Sequence, residues 1–517
     1  MLTRPRFELP RRRGDEDAIE FDDAPSIAIT QAAGNTWSPR GFRGRGGGAW
    51  GWMTTPATYK ATSVQLCGLW PFSGGSSRPV VGVPVGQDVQ TGATVCCDPF
   101  SWFKAGLISS PSMAVFGLQG LGKSSFAIRQ ILHTADRGII TMMAGDLKRE
   151  YTDIIRAIGG QVLRFGEGQR LNVLDQGAMA EAATRLGGDR REQLLEMAVV
   201  RSVALVASLV QIMRRSRLQD WEHLLLSRAV RLLTESHTVG TPPPTLPDLA
   251  HVLQNPPASL VTATMVSVEE YPQFTAPLNR SLQALLEGPL GRTFSGQSTE
   301  RINPAASAVS IDISPLQRQP EDVLSAVLVS CWSETFATIE AANALSDAGL
   351  EPQRHFLTVT DEMWRPMRLA GAGLVDQYDA ITRLNRNDGV GNIFIPHSPK
   401  DMESMGSAAD NMKARGFAER SGIVVTAGLA RPDLRALSEI KPMSEVEIDA
   451  VAAWSTPEDW TQRVVRDPRT GRERPEPPPG AGKVLIKLGH RAGIQTQVKL
   501  TATELALHDT NTRWVSQ

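Results

Sequence analysis

Residues 112 to 132, SMAVFGLQGLGKSSFAIRQIL, carry the strongest chemical signal in the chain. A short apolar run, Met113 to Phe116, precedes Gly117, Gly120 and Gly122. Lys123, Ser124 and Ser125 then open an amphipathic stretch with Ile128, Ile131 and Leu132 on one face. Gly117, Gly122, Lys123 and Ser124 satisfy the pattern G-x-x-x-x-G-K-[ST]. Glycines at these places let backbone N–H groups curl around a phosphate without Cβ clashes. The helix start that follows adds N–H donors and partial positive charge. The expected nucleotide-binding residues are Gly117, Gly120, Leu121, Gly122, Lys123, Ser124 and Ser125. Lys123 would reach the β- and γ-phosphates, and Ser124 would offer its hydroxyl to Mg²⁺.

A phosphate loop needs a carboxylate to orient the waters of Mg²⁺ and a base for the lytic water. HFLTVTDE, residues 355 to 362, supplies both after an apolar run. Asp361 is the expected metal-side carboxylate and Glu362 the expected general base. TRLNRN follows, with Arg383 and Arg386. In ring ATPases an arginine from a neighbour stabilises charge developing on the γ-phosphate. His397 and Ser398, after the next apolar run, are candidates for sensing that phosphate. Asp146 and Lys148 end the strand after the phosphate-loop helix, an edge that lies near nucleotide in many α/β folds.

These residues need a parallel sheet to bring them together. Strand, loop, helix and strand over residues 112 to 146 form one βαβ unit. Further strands are expected at Gln161 to Phe165, Ala308 to Ile313, His355 to Thr360, GNIFIPHS and Ile423 to Thr426. From Met179 to Leu290 the apolar spacing is three to four residues throughout, which predicts an all-α insertion. The fold class expected is α/β, with a P-loop NTPase core, that insertion, a small β-rich N-terminal segment and a C-terminal β-hairpin. The segments read as a disordered tail over 1–58, a β-rich lead-in packed beside the core over 59–107 and core over 108–178. The insertion over 179–302, more core over 303–440 and a C-terminal segment over 441–517 complete the chain. Within the last segment, 466–483 reads as a linker or exposed loop, and KVLIKLGHRAGIQTQVKL as two strands joined at His490 to Gly493.

Lys plus Arg is 54 and Asp plus Glu is 55, so net charge does not point to a nucleic-acid partner, although a local basic channel is compatible with this balance. Of four cysteines, Cys67, Cys96, Cys97 and Cys331, the adjacent pair is poorly placed to bridge, and no C-x-x-C spacing suggests zinc. A reducing compartment fits this usage. The most apolar helical stretch, Ala198 to Met213, contains Arg201 and Gln211 and falls short of the ~20 residues needed to span a bilayer. Membrane association is therefore expected only through a partner.

GLQGLGKS, GDLKREY, RLNVLDQG, TVTDEMW, TRLNRNDGVGNIFIPHS and LTATELALHDTNTRW together resemble the ATPases of conjugation and type IV secretion, the VirB-four type of the HerA–FtsK superfamily. ATSVQLCGLWPF and DPFSWFKAGLISSPSMAVFGLQGLGKS are similar to the actinobacterial conjugation branch. The resemblance covers about 59 to 517 and implies a RecA-like core, ATP and Mg²⁺ as ligands, and a homo-hexamer. It implies work at the cytoplasmic face of the membrane with embedded secretion-channel subunits, with DNA as a further candidate partner. The chain departs from the family pattern at Val173, where proline is common, at Arg149, where glycine is common, and at His397, where glutamine is frequent. The large N-terminal domain of typical members is reduced here to the β-rich segment. Two other readings compete with a secretion motor. One is a DNA-pumping translocase or coupling protein of the same superfamily. The other is a nucleotide-gated assembly scaffold with little turnover.

Overall fold

The computed structural model describes residues 37–38, 41–42, 79–166, 168–237, 241–362, 364–368, 388–396, 398–405, 407–455, 464–466, 473–475 and 478–507. The chain divides into two units, 1–58 and 59–517. In the first, Trp37–Ser38 pairs antiparallel with Gly41–Phe42, a short ribbon within the stretch read as a disordered tail. The rest of that tail lies outside the described residues.

The second unit is built on an eleven-stranded sheet. In chain order its strands are β1 (Pro84–Asp88), β2 (Thr94–Cys96), β3 (Ser112–Phe116), β4 (Ile140–Asp146), β5 (Gln161–Arg164) and β6 (Ala308–Asp312). Then come β7 (Phe356–Asp361), β8 (Val390–Ile395), β9 (Ile423–Thr426), β10 (Lys483–Lys487) and β11 (Ile494–Val498). The spatial order is 2-1-11-10-9-3-8-7-4-6-5. The seven strands from β9 to β5 run parallel, and the four from β10 to β2 join antiparallel.

The central strands are buried at every residue, as the near-continuous apolar runs of a doubly covered parallel sheet require. Alternate residues of β3 feed two separate cores, Ala114 and Phe116 on one face and Met113 and Val115 on the other. One polar cross-link sits in this interior, where the Thr358 hydroxyl donates to the Asn392 side chain.

Strands β1 and β2 of the β-rich lead-in extend the core sheet, because the hairpin β10–β11 pairs with β9 on one side and β1 on the other. An unpaired β9 edge would expose its backbone N–H and C=O groups, and the hairpin covers it. The stretch read as a linker over 466–483 also holds structure. Val464–Arg466 pairs antiparallel with Glu473–Pro475, and the Gly482 N–H donates to the Leu121 carbonyl at 3.3 Å, tying this segment to the phosphate loop.

Every described element from Gly177 to Phe294 is a helix. Reciprocal side-chain to backbone caps fix two of their starts, Gln219 with Glu222 and Thr245 with Asp248. The helix containing Ala198 to Met213 runs from Gly188 to Arg214, 27 residues. It and Glu321–Asp347 are long and apolar enough to cross a membrane by length and composition. Within their most apolar windows 67% and 83% of residues are buried, so these helices use their apolar surface in the core of the fold. Cys96, Cys97 and Cys331 are buried free thiols; Cys67 lies outside the described residues.

Glu334, on the helix Glu321–Asp347, makes this interior sensitive to pH. Burial, reinforced by the Asp175 carboxylate, lifts its pKa from 4.5 to about 7, against the pull of Arg201 and Arg301. The native state therefore holds a proton here that the unfolded chain has lost between those values. Its contribution is fully present below pH 4.5 and is lost as pH rises through about 7. Glu334→Gln should remove this dependence. Relative to wild type, the variant should gain on the order of 1–3 kcal/mol between about pH 5 and pH 8. Thermal melts at both pH values check this, and parallel pH profiles would show that the carboxyl is ionised at no cost.

Candidate active site

The phosphate loop leaves the C-terminal end of β3 and enters the helix Lys123–Ala135. Gly117 has φ +153°, and a Cβ there would lie 2.6 Å from the Ala427 methyl group at the end of β9. Gly122, with φ +96°, occupies the N-cap position and leaves the first helical N–H groups without a capping side chain. Those donors and the helix dipole make a site for an anion. Leu121 points its side chain into the core, so only its backbone faces the loop interior. Ser124 and Ser125 are half-buried at the helix start.

Lys123 folds back onto its own loop. Its Nζ donates to the Gly117 carbonyl at 2.6 Å and the Leu118 carbonyl at 3.0 Å. Burial holds its pKa below the ordinary lysine value, with Asp361 the main opposing charge. A cation satisfied only by carbonyl oxygens, beside open helix N–H groups, fits an incoming phosphate.

The acid pair lies two strands away. β8 separates β3 from β7, and because all three are parallel, their C-terminal ends share one edge of the sheet. Asp361 ends β7 and is 7% exposed. Its Oδ1 accepts the Glu362 N–H at 2.9 Å, and its Oδ2 accepts the Tyr151 hydroxyl at 3.3 Å. Ser124, in the first turn of the phosphate-loop helix, and Asp361, at the end of β7, carry oxygens of the kind a hydrated Mg²⁺ takes. Burial, then the Asp361 charge, pushes the Tyr151 pKa well above its ordinary value, so it stays a neutral donor.

Glu362 has φ +55°, the left-handed region, and is 1% exposed. For a residue with a Cβ this conformation costs roughly 1–2 kcal/mol, a strain that concentrates at functional sites. Its Oε1 lies 2.5 Å from Lys148 Nζ, and its Oε2 lies 3.4 Å from Arg365 Nε. Burial opposes the charge on Lys148, yet Asp361, Glu362 and Glu150 together hold its pKa above the ordinary lysine value.

The turn after β4 carries Lys148 and Tyr151, and Asp146 builds it. The Asp146 carboxylate accepts the N–H groups of Glu150, Tyr151 and Thr152 at 2.9, 2.9 and 3.1 Å. Burial raises its pKa to about 6 against those hydrogen bonds. Arg149 in this turn has φ +58°, which explains why glycine suits the position.

The structure therefore brings together Lys123, Ser124, Asp361 and Glu362. It adds Tyr151, which the sequence reading quoted without assigning, and gives Lys148 a partner. Ser398 caps the helix Pro399–Glu403 reciprocally with Asp401, a structural task. Arg383, Arg386 and His397 lie outside the described residues.

A phosphate loop following a buried parallel strand, with an acid pair at the end of the next strand but one, defines a RecA-like P-loop NTPase fold. No protein-family model and no curated protein matches the chain. Among solved structures, it is similar to VirB4 of Thermoanaerobacter pseudethanolicus, with a TM-score of 0.60 and 17% identity over 83% of this chain and 99% of that one. This likeness shows a shared fold. More distant matches are the bacterial conjugative coupling protein TrwBΔN70, with a TM-score of 0.43 and 14% identity over 81% and 90%, and plasmid coupling protein TrwB in complex with ADP and Mg²⁺, with 0.44 and 13% over 75% and 86%.

Proposed function

We propose that this chain is an ATP-hydrolysing motor of a conjugation-type (type IV) secretion system, powering assembly or passage of substrate. The observation that carries the reading is the convergence of Lys123, Ser124, Asp361 and Glu362 at one edge of a sheet whose fold is that of VirB4. Gly117, Gly120, Leu121 and Gly122 would hold phosphate oxygens through backbone N–H groups. Ser124 and Asp361 would hold Mg²⁺ and its waters, and Ser125 would contribute at the helix start. Mg²⁺-bound ATP supplies the bond to be cleaved. Lys123 would leave its loop carbonyls for the β- and γ-phosphates, and Glu362 would take the proton of the attacking water. Arg383, Arg386 and His397 are proposed to act on the γ-phosphate, one arginine from a neighbouring copy. The assembly proposed is a homo-hexamer at the cytoplasmic face of the membrane, held there by channel subunits. The six segments read from the sequence are its proposed working parts.

The test is the ATPase rate of the purified full chain, with and without single- and double-stranded DNA, alongside Lys123→Ala. The substitution should cut turnover by about 10²–10³, the loss typical of one preorganised charge-stabilising donor. The fold should survive, because the side chain contacts only two loop carbonyls by hydrogen bond. Wild-type turnover in a folded Lys123→Ala protein would remove the site assignment. Strong, length-dependent stimulation by DNA would move the reading to a DNA pump.

A further inference from the structure

Two ammonium groups converge on one acid pair. Asp361, Glu150 and Glu362 act electrostatically on both Lys123 and Lys148, and the two lysines act on each other. Lys123 is engaged by its own loop, and Lys148 is engaged by Glu362. A carboxylate oxygen with an ammonium at 2.5 Å has a lone pair committed to that cation, which hinders it as an acceptor for a water proton. Glu362 is buried, so bulk water does not compete for this contact.

We propose that Lys148 is a γ-phosphate-responsive latch. It restrains Glu362 when no γ-phosphate is present, and it turns to the γ-phosphate when one arrives, leaving the carboxylate open to the lytic water. This rests on the reading of the site as an ATPase site and names a control within it. Three observations support the exchange. A terminal phosphate offers more charge and more acceptor oxygens than one carboxylate. The flexible lysine stem, 23% exposed, lets the ammonium move without its backbone. The turn beneath it is fixed by the Asp146 hydrogen bonds to residues 150, 151 and 152, so the exchange is confined to the side chain.

The experiment is equilibrium binding of fluorescent ADP and of a fluorescent non-hydrolysable ATP analogue to the full chain. Wild type, Lys148→Ala, Glu362→Gln and the double variant are compared, with Lys148→Arg as the conservative control. Lys148→Ala should weaken the analogue by about tenfold, the worth of one charge-assisted hydrogen bond, and leave ADP within about twofold. Glu362→Gln should tighten the analogue a few-fold by replacing the ion pair to Lys148 with a weaker neutral hydrogen bond, and this gain should vanish in the double variant. Lys148→Arg should retain most of the preference for the analogue. Equal loss of both nucleotides in Lys148→Ala would indicate a structural lysine and overturn the latch. No change in either, or a Glu362→Gln gain that persists without Lys148, would overturn it as well. Failure of the parent reading is distinguishable, because Lys123→Ala would then bind and hydrolyse ATP as wild type does.

Discussion

Glu362→Gln should lower ATP hydrolysis by about 10²–10⁴, the usual worth of a positioned general base, while ATP still binds. The amide keeps the size of the side chain and its capacity to accept a hydrogen bond from Lys148, so the turn at the end of β7 should hold. What it lacks is a basic oxygen. The left-handed backbone at Glu362 sharpens the argument. A residue with a Cβ is held there at a cost, and in a merely solvated strand end glycine or asparagine would serve better. The strain is consistent with a carboxylate aimed at one place. Single-turnover hydrolysis and nucleotide retention, measured on the same preparation, check the outcome. Turnover within tenfold of wild type would deny Glu362 the role of base. Nucleotide affinity lost together with turnover would make it a structural residue.

The phosphate loop was legible because its signal is local: a strand, three glycines, a lysine and two serines within 21 residues. Asp361 and Glu362 were legible for a similar reason, as acids closing an apolar run. The contacts that tune them were not. Tyr151 meets Asp361 across 210 positions of sequence, and nothing in GDLKREY says which strand will lie beside it. Lys148 was visible as a polar residue at a strand end, but its partner depends on β4 pairing with β7. Periodicity also says which residues are buried and not which strands are neighbours. The closing hairpin is legible as two strands, yet its place between β9 and β1 depends on pairing with a strand more than 400 residues away in sequence.

The pair Arg383 and Arg386 offers the largest effect on the proposed reading, since an arginine supplied to a neighbour's γ-phosphate is worth about 10³–10⁵ in rate. The resemblance to ring ATPases motivates a neighbour. The Phe356 N–H donates to the Gly389 carbonyl, so Gly389 lies beside the first residue of β7. Asp361 ends that strand five residues on, about 17 Å away at the usual strand rise. Arg383 and Arg386 lie outside the described residues and fall shortly before Gly389 in sequence. Substitution of the relevant arginine by Ala should abolish most hydrolysis and spare ATP binding. The decisive measurement mixes two inactive proteins, Lys123→Ala with Arg383→Ala, and then Lys123→Ala with Arg386→Ala. An interface that joins the intact phosphate loop of one copy to the intact arginine of the other should turn over. Mixed assemblies should then recover activity, and recovery should rise with protein concentration, because it requires association. If labelled subunits exchange and neither mixture recovers, the arginines do not act between copies, and the charge on the γ-phosphate must be met within one chain, where Lys123, Lys148 and Arg365 are cations at the acid pair among the described residues.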